Sequence, residues 1–285
     1  MPRYLQTMSQ EAVMMVSQKI KLFFFRIISV IAKLCFIRIP FGVSEILEIR
    51  IQQSLGKGWG AQSIYHEPRA ALKLLKKFEI SNQTYLVLDI GANSGEWTSG
   101  LISQKNLEVI CFEPSKPSYE SLVLKFKENK SVKIENLGIG LTEGTFDLWS
   151  NEIGSSLSSL NKRNLDYLGI DFKESEKVIV ISLSKWIREN ERIPDVIKLD
   201  IEGLELDALR GCGDFLGDIR IIQFEFGGCN IDSRTFFRDF WELLVPLGFS
   251  IYRLTNRGLY KIASYSETLE TFTTTNYFAV NETLS

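Results

Sequence analysis

The stretch VLDIGANSGEWT, Val87 to Thr98, decides how the rest of the chain is read. A short apolar run, Tyr85 to Ile90, stops at Gly91, which is the form of a parallel strand buried on both faces. Gly91 and Gly95 bracket a tight turn, and a helix is predicted from Glu96 to Gln104. Glycines at such a turn let the backbone approach a ligand where any Cβ would collide. The start of the following helix offers unpaired N–H groups to a carboxylate or phosphate.

Downstream, Glu108 to Phe112 (EVICF) reads as a second strand with Glu113 at its end. An acidic residue at that place accepts both hydroxyls of a ribose through its two oxygens. Strand, glycine turn, helix, strand and acid together describe a nucleoside pocket. The turn reads GANSG rather than the GxGxxG that cradles a pyrophosphate, and Asp89 places a carboxylate beside it. A carboxylate there repels a phosphate and suits an ammonium. S-adenosylmethionine carries adenosine, an ammonium, a carboxylate and a sulfonium but no phosphate, so it matches these residues better than NAD.

The same alternation extends along the chain. Helices are predicted over Val43–Ser54, Glu67–Phe78, Pro117–Asn129, Lys185–Glu189, Glu205–Leu209 and Arg234–Leu247. Strands are predicted over Val132–Asn136, Thr145–Trp149, Val178–Ser182, Val196–Asp200, Ile219–Phe226, Phe249–Leu254, Leu259–Ile262 and Asn276–Val280. This order gives an α/β fold with a mostly parallel sheet and helices on both faces. No internal repeat is present. The serine-rich Gly154–Ser159 (GSSLSS) reads as a loop near a site.

The segments LDIGANSGEWT, CFEPSKPSYESL, NLGIGLTEGTFDL and IKLDIEGLELDALRGC, in this order, resemble the FkbM family of methyltransferases over roughly residues 85 to 280. The resemblance implies a Rossmann-like class I methyltransferase, with a seven-stranded sheet whose last strand is antiparallel. It also implies O-methylation, often of sugars or natural-product hydroxyls. By the same resemblance Asp89, Gly91, Asn93 and Gly95 hold the methionine portion of the cofactor, Glu113 the ribose, and Asn136 and Leu137 border the adenine. The N-terminal helical segment falls outside it.

Methyl transfer to a hydroxyl needs a group that takes the proton. Lys198, Asp200, Glu202 and Glu205 cluster in KLDIEGLE, at the carboxyl end of a predicted core strand, where open α/β sheets bind ligands. Asp200 and Glu202 are the first candidates for the base and Glu225 the third. The alternative is that Asp200 or Glu202 binds cofactor, caps a helix or pairs with Lys198. His66, the single histidine, stands before a predicted helix as a further candidate base, or as a plain surface or capping group. Trp59, Tyr65 and Trp149 are candidates for stacking on a sugar face, or else core residues.

Composition narrows the remaining classes. The 285 residues are 45% hydrophobic and 24% charged, enough to bury a large core without staples. A net charge of −2 gives no basic field for nucleic acid. Cys35, Cys111, Cys212 and Cys229 form no CxxC pair, so neither a metal site nor a disulfide framework is expected, and a reduced cytoplasmic setting is the simplest reading.

Three segments are expected: a hydrophobic, basic helix over residues 1–42, a helical lead-in over 43–84 and the Rossmann-like domain over 85–285. Within the first, residues 19–39 are too interrupted by charge to span a membrane. Lys19, Arg26, Ser29 and Lys33 line one stripe of a helix, the pattern of peripheral contact with the inner face of a membrane. Packing on the domain or on a second subunit of a homo-oligomer gives the same pattern. A non-catalytic nucleoside-binding protein, a membrane-associated scaffold and an NAD-dependent enzyme are the competing functions.

Overall fold

The computed structural model describes residues 26–27, 40–60, 63–78, 84–152 and 154–284. Residues 1–51 and 52–285 form two compact units. Helix α1 spans Phe41–Ser54. Of the stretch 19–39, all but the helical Arg26 and Ile27 lies outside the described residues. Among the described residues no helix is long and apolar enough to cross a membrane.

The second unit is built on one sheet. Its strands are β1 (Tyr85–Ile90), β2 (Leu107–Phe112), β3 (Val132–Glu135), β7 (Val196–Leu199), β8 (Ile221–Phe226), β9 (Phe249–Thr255), β10 (Gly258–Lys261) and β11 (Thr275–Asn281). They lie in the order β10-β9-β11-β8-β7-β1-β2-β3. The pairs β3–β2, β2–β1, β1–β7 and β7–β8 are parallel, whereas β11 runs antiparallel to both β8 and β9. The sheet therefore has the antiparallel last strand expected, and one strand more than seven. The extra strand, β10, pairs antiparallel with β9 at the edge.

Side chains alternate between the faces, as the period of a strand requires. Leu86, Leu88, Ile90, Phe112, Leu199 and Phe224 pack on one face with α5 (Leu183–Asn190), α6 (Glu205–Arg210) and α8 (Phe237–Leu244). Val87, Val109, Val196 and Ile221 pack on the other with α2 (Glu67–Leu75), α3 (Glu96–Ser99) and α4 (Lys116–Phe126). A second sheet was not anticipated: β4 (Gly138–Ile139), β5 (Gly144–Ser150) and β6 (Glu174–Ile181) stand apart in the order β4-β6-β5. The predicted helix over 234–247 is in fact α8 followed by a 3₁₀ turn over Val245–Leu247, and a short α7 (Cys229–Ser233) that was not expected precedes it. Arg234 takes a left-handed conformation (φ +57°) and separates the two helices.

The α2 face of the sheet carries a polar row where an apolar one would be cheaper. Asp89 sits opposite Lys198, and Lys198 opposite Gln223. Glu67, the first residue of α2, closes this row. Its two oxygens accept from the Ser63 hydroxyl (2.6 Å), the Asn276 amide (2.9 Å) and the Gln223 amide (2.7 Å). Gln223 in turn accepts from the Trp97 indole N–H on α3 (3.0 Å). Residues 63–78 are thereby fastened to the sheet.

Removing Glu67 strands these donors in the interior, which costs more than a lost surface bond. Glu67→Ala is expected to lower unfolding free energy by about 3 kcal/mol, read from the urea midpoint. A loss below about 1 kcal/mol would mean that the network does not hold α2.

Candidate active site

The site lies where parallel strands β1 and β7 end and the chain departs to opposite sides of the sheet. After Ile90 the backbone passes so near the tip of β7 that a Cβ on Gly91 would stand 1.9 Å from the Asp200 carbonyl oxygen. Gly91 is also in the left-handed region (φ +77°), so no other residue fits. Gly95 (φ +70°) leaves no room for a Cβ against Phe126 and Leu122. The helix predicted to Gln104 is a single turn, α3, so its dipole adds little to ligand binding.

A cleft opens beyond these strand ends, where open α/β sheets bind their ligands. Its apolar walls include Ile90, Phe112, Leu137, Ile139 and Leu148, and its rim includes Ser155, Ser156, Ser158 and Ser159 of the serine-rich stretch. The charged side chains lining it are Glu113, Asp200 and Glu202, with no lysine or arginine among the described residues. The Ser159 hydroxyl donates to the Glu202 carbonyl (3.0 Å) and pins the serine stretch to the turn after β7.

Glu113 is 6% exposed and anchored by two backbone N–H groups, Asn93 to Oε2 (2.8 Å) and Ser115 to Oε1 (2.9 Å). Asn93 presents its N–H from a left-handed conformation (φ +42°). Burial raises the Glu113 pKa to about 7 in spite of these donors. Each oxygen of a carboxylate accepts more than one bond, so both keep capacity toward the cleft. Asn136 does not line the cleft. It donates to the Glu113 (2.9 Å) and Pro114 (3.0 Å) carbonyls and stiffens the chain that carries the acid. Leu137 does line it.

Asp89 is placed differently from its expected role. It is fully buried, accepts from Thr98 Oγ1 (2.6 Å) and faces the Lys198 ammonium at 3.1 Å. Lys198 also donates to the Gly91 carbonyl (2.9 Å) and lies 3.5 Å from Asp200. The positive charge that Asp89 was expected to draw from a ligand is thus already supplied by the protein. Burial works against the Lys198 charge, but Asp89 and Asp200 outweigh it and hold its pKa above the usual lysine value.

The turn after β7 is organised by Glu205, whose Oε1 accepts from the Ile201 (3.0 Å) and Gly203 (3.1 Å) N–H groups. This places Glu202 in a left-handed conformation (φ +54°), with its carboxylate paired to Arg163 and forming part of the cleft wall. Burial and then the Asp200 charge raise the Glu202 pKa to about 8, against the pull of Arg163. Burial raises Glu205 to about 7.

Glu225 does not line the cleft. Burial and the charges of Asp200, Glu202 and Glu205 push its pKa well up. His66 is an exposed ring 5.0 Å from Trp59, away from the cleft lining. Neither Trp59, Tyr65 nor Trp149 lines the cleft, and Trp149 is covered by the Lys162 ammonium at 4.7 Å.

A profile of the methyltransferase FkbM domain matches residues 89–251, more than half of the chain. The chain belongs to the FkbM methyltransferase family. Among curated proteins there is no match. Among solved structures, this FkbM methyltransferase is similar to the CurJ carbon methyltransferase, at 11% identity over 76% of this chain and 54% of that one, with a TM-score of 0.42. It is also similar to Aeropyrum pernix fibrillarin, solved with natively bound S-adenosyl-L-methionine (12% identity, 76% of each chain, TM-score 0.40). A third is the magnesium protoporphyrin IX methyltransferase of Synechocystis PCC 6803 with bound SAM, at 13% identity over 80% of this chain and 81% of that one, TM-score 0.39. The chain spans about half the length of the CurJ protein, 54%.

The buried carboxyls make stability depend on pH in a definite direction. Glu113, Glu202 and Glu205 move from 4.5 to about 7, 8 and 7 in the fold. Between those limits the folded protein holds protons that the unfolded chain has released, so stability falls as pH rises through the window. The urea midpoint is expected to drop between about pH 5 and pH 8, with a shallower slope in Glu205→Gln. A midpoint that rises over this range would contradict the burial of these groups.

Proposed function

We propose that this protein is an S-adenosylmethionine-dependent O-methyltransferase acting on a hydroxyl of a small molecule or sugar. The observation that carries the reading is the cleft at the carboxyl ends of β1, β2 and β7, walled by Glu113, Asp200 and Glu202 and, among the described residues, without a basic lining side chain. Such a wall repels the phosphates of NAD or ATP and favours a cation. When bound, the cofactor supplies a methyl group made electrophilic by a sulfonium.

The residues present fit that group. Glu113 would take the ribose hydroxyls on the lone pairs left by Asn93 and Ser115, with Leu137 and Ile139 beside the base. The Gly91–Gly95 turn brings bare backbone to the cleft for the methionine end. Asp89 serves through Lys198, which fixes the Gly91 carbonyl and steadies Asp200.

Glu202 is the proton acceptor for the substrate hydroxyl. Its pKa of about 8 lies near the range in which a general base works best, and Arg163 fixes its direction. Asp200, partly exposed on the same wall, is the alternative acceptor.

Calorimetry tests the cofactor: S-adenosylmethionine and S-adenosylhomocysteine bind, and NAD and ATP do not. Two hydrogen bonds to a charged carboxylate are worth about 1.5–3 kcal/mol each, so Glu113→Ala is expected to weaken both ligands by at least about a hundredfold. Equal binding of NAD would end the methyltransferase reading. Because ionised Glu113 and Glu202 favour the sulfonium, preference for S-adenosylmethionine over S-adenosylhomocysteine, whose sulfur is neutral, rises between about pH 6 and pH 9. In Glu202→Gln transfer to a hydroxyl is expected to fall at least about 100-fold with S-adenosylhomocysteine binding retained. Transfer at the original rate would pass the proton to Asp200.

A further inference from the structure

A second concavity adjoins the cofactor cleft. It is an open groove between α6 and the α7–α8 junction, and Leu204 lines both it and the cleft. Its character is opposite to that of an aglycone pocket. Asn161, Asp207, Arg210, Asp232, Arg234 and Asp239 line it, with only Leu204 and Leu206 as apolar members and no aromatic ring. Two guanidiniums and three carboxylates nearly balance, so the wall interleaves donors and acceptors without a strong field.

Part of this wall is committed to the fold and part is not. Asp239 accepts the Phe236 N–H and caps α8 (2.8 Å), and Arg210 leans on Asp207 at 3.6 Å. The Asn161 amide and the Arg234 guanidinium have no partner among the described residues. Arg234 is held there in a left-handed conformation (φ +57°) that few non-glycine residues adopt.

One side chain joins groove and cleft. Arg163, 9% exposed, donates through Nη1 to Glu202 in the cleft wall (2.5 Å) and through Nε to Asp232 in the groove wall (3.2 Å). The planar fork of a guanidinium fixes two carboxylates at once, which a lysine does not do. Arg163 follows the serine stretch in the chain, so that one segment supplies both the cleft rim and this bridge.

We propose that the groove is the acceptor subsite and takes an uncharged polyol of saccharide type, and that Arg163 is the positioning residue that aims Glu202 at the hydroxyl presented across Leu204. The inference rests on the methyltransferase reading and adds to it where the acceptor sits. Balanced donors and acceptors suit a ligand whose every hydroxyl both gives and accepts a bond. The missing rings and few apolar atoms disfavour a flat phenol.

The test begins with wild-type protein and S-adenosylmethionine in the calorimeter. Absence of binding there defeats the methyltransferase reading itself. With binding secured, protein saturated with S-adenosylhomocysteine is titrated with a mixture of methyl glycosides, with catechol and with inorganic phosphate, and amide shifts are followed by NMR. Glycosides are expected to move the amides of residues 204–210 and 232–239, and catechol and phosphate to leave them in place. Glycoside shifts absent or confined elsewhere, or shifts from catechol or phosphate instead, overturn the subsite.

The role of Arg163 is read separately. Its charge holds the Glu202 pKa down, so Arg163→Ala should move the upper rise in sulfonium preference to higher pH by about one unit or more. Arg163→Lys should restore part of that shift. A profile unchanged in both variants overturns the positioning role.

Discussion

The Lys198 ammonium is the interaction on which the site depends. A buried cation is tolerated only when its charge is answered, and here Asp89, Asp200 and the Gly91 carbonyl answer it from two adjacent strand ends. The register that puts Asp89 opposite Lys198 makes this pairing a property of the sheet itself. Because the carbonyl of Gly91 is held inward, the turn above it is fixed, and with it the Asn93 N–H that anchors Glu113. Neutralising one cation thus sets the position of three acids in or behind the cleft.

The cleft is correspondingly acid-heavy and sparing with real charge. Glu113 and Glu202 lie in surroundings that keep their carboxyls partly protonated near neutrality. An arriving cation would draw them into the ionised form, so the site supplies negative charge in response to its ligand. Glu205 gives the opposite use of an acid: fully buried, it spends Oε1 on shaping the turn after β7.

Much of this was legible in the sequence where burial alone decides the pattern. The run Tyr85–Ile90 is a strand with the predicted limits, because an apolar hexapeptide closed by glycine has few other uses. Glu113 and Leu137 also stand in the cleft lining. Asp89 shows the limit: an acid before a glycine turn reads as a ligand group until the register reveals that its partner is Lys198, more than a hundred residues away. At the start of α2 the sequence makes His66 the residue with evident chemistry, while Glu67 is the buried one, since helical phase at an N-terminus is not fixed by composition. Arg163 gave no local signal, because its importance comes from two carboxylates distant in sequence.

The antiparallel strand β11 has a consequence for the order of assembly. It is the latest of the sheet's strands in the chain, yet it lies between β8 and β9 with all seven residues buried. Strands β3, β2, β1, β7 and β8 are contiguous without it, and the cleft opens at the ends of β1, β2 and β7 among them. During synthesis, however, β8 and β9 each wait with an open edge, the kind of surface that recruits strands from other chains. The lead-in waits too: Asn276 on β11 bonds Glu67, and the Thr274 carbonyl accepts the Gly60 N–H (2.9 Å). Two stretches more than two hundred residues apart are therefore clasped in one late step. The nascent protein is most exposed to aggregation just before its final strand arrives.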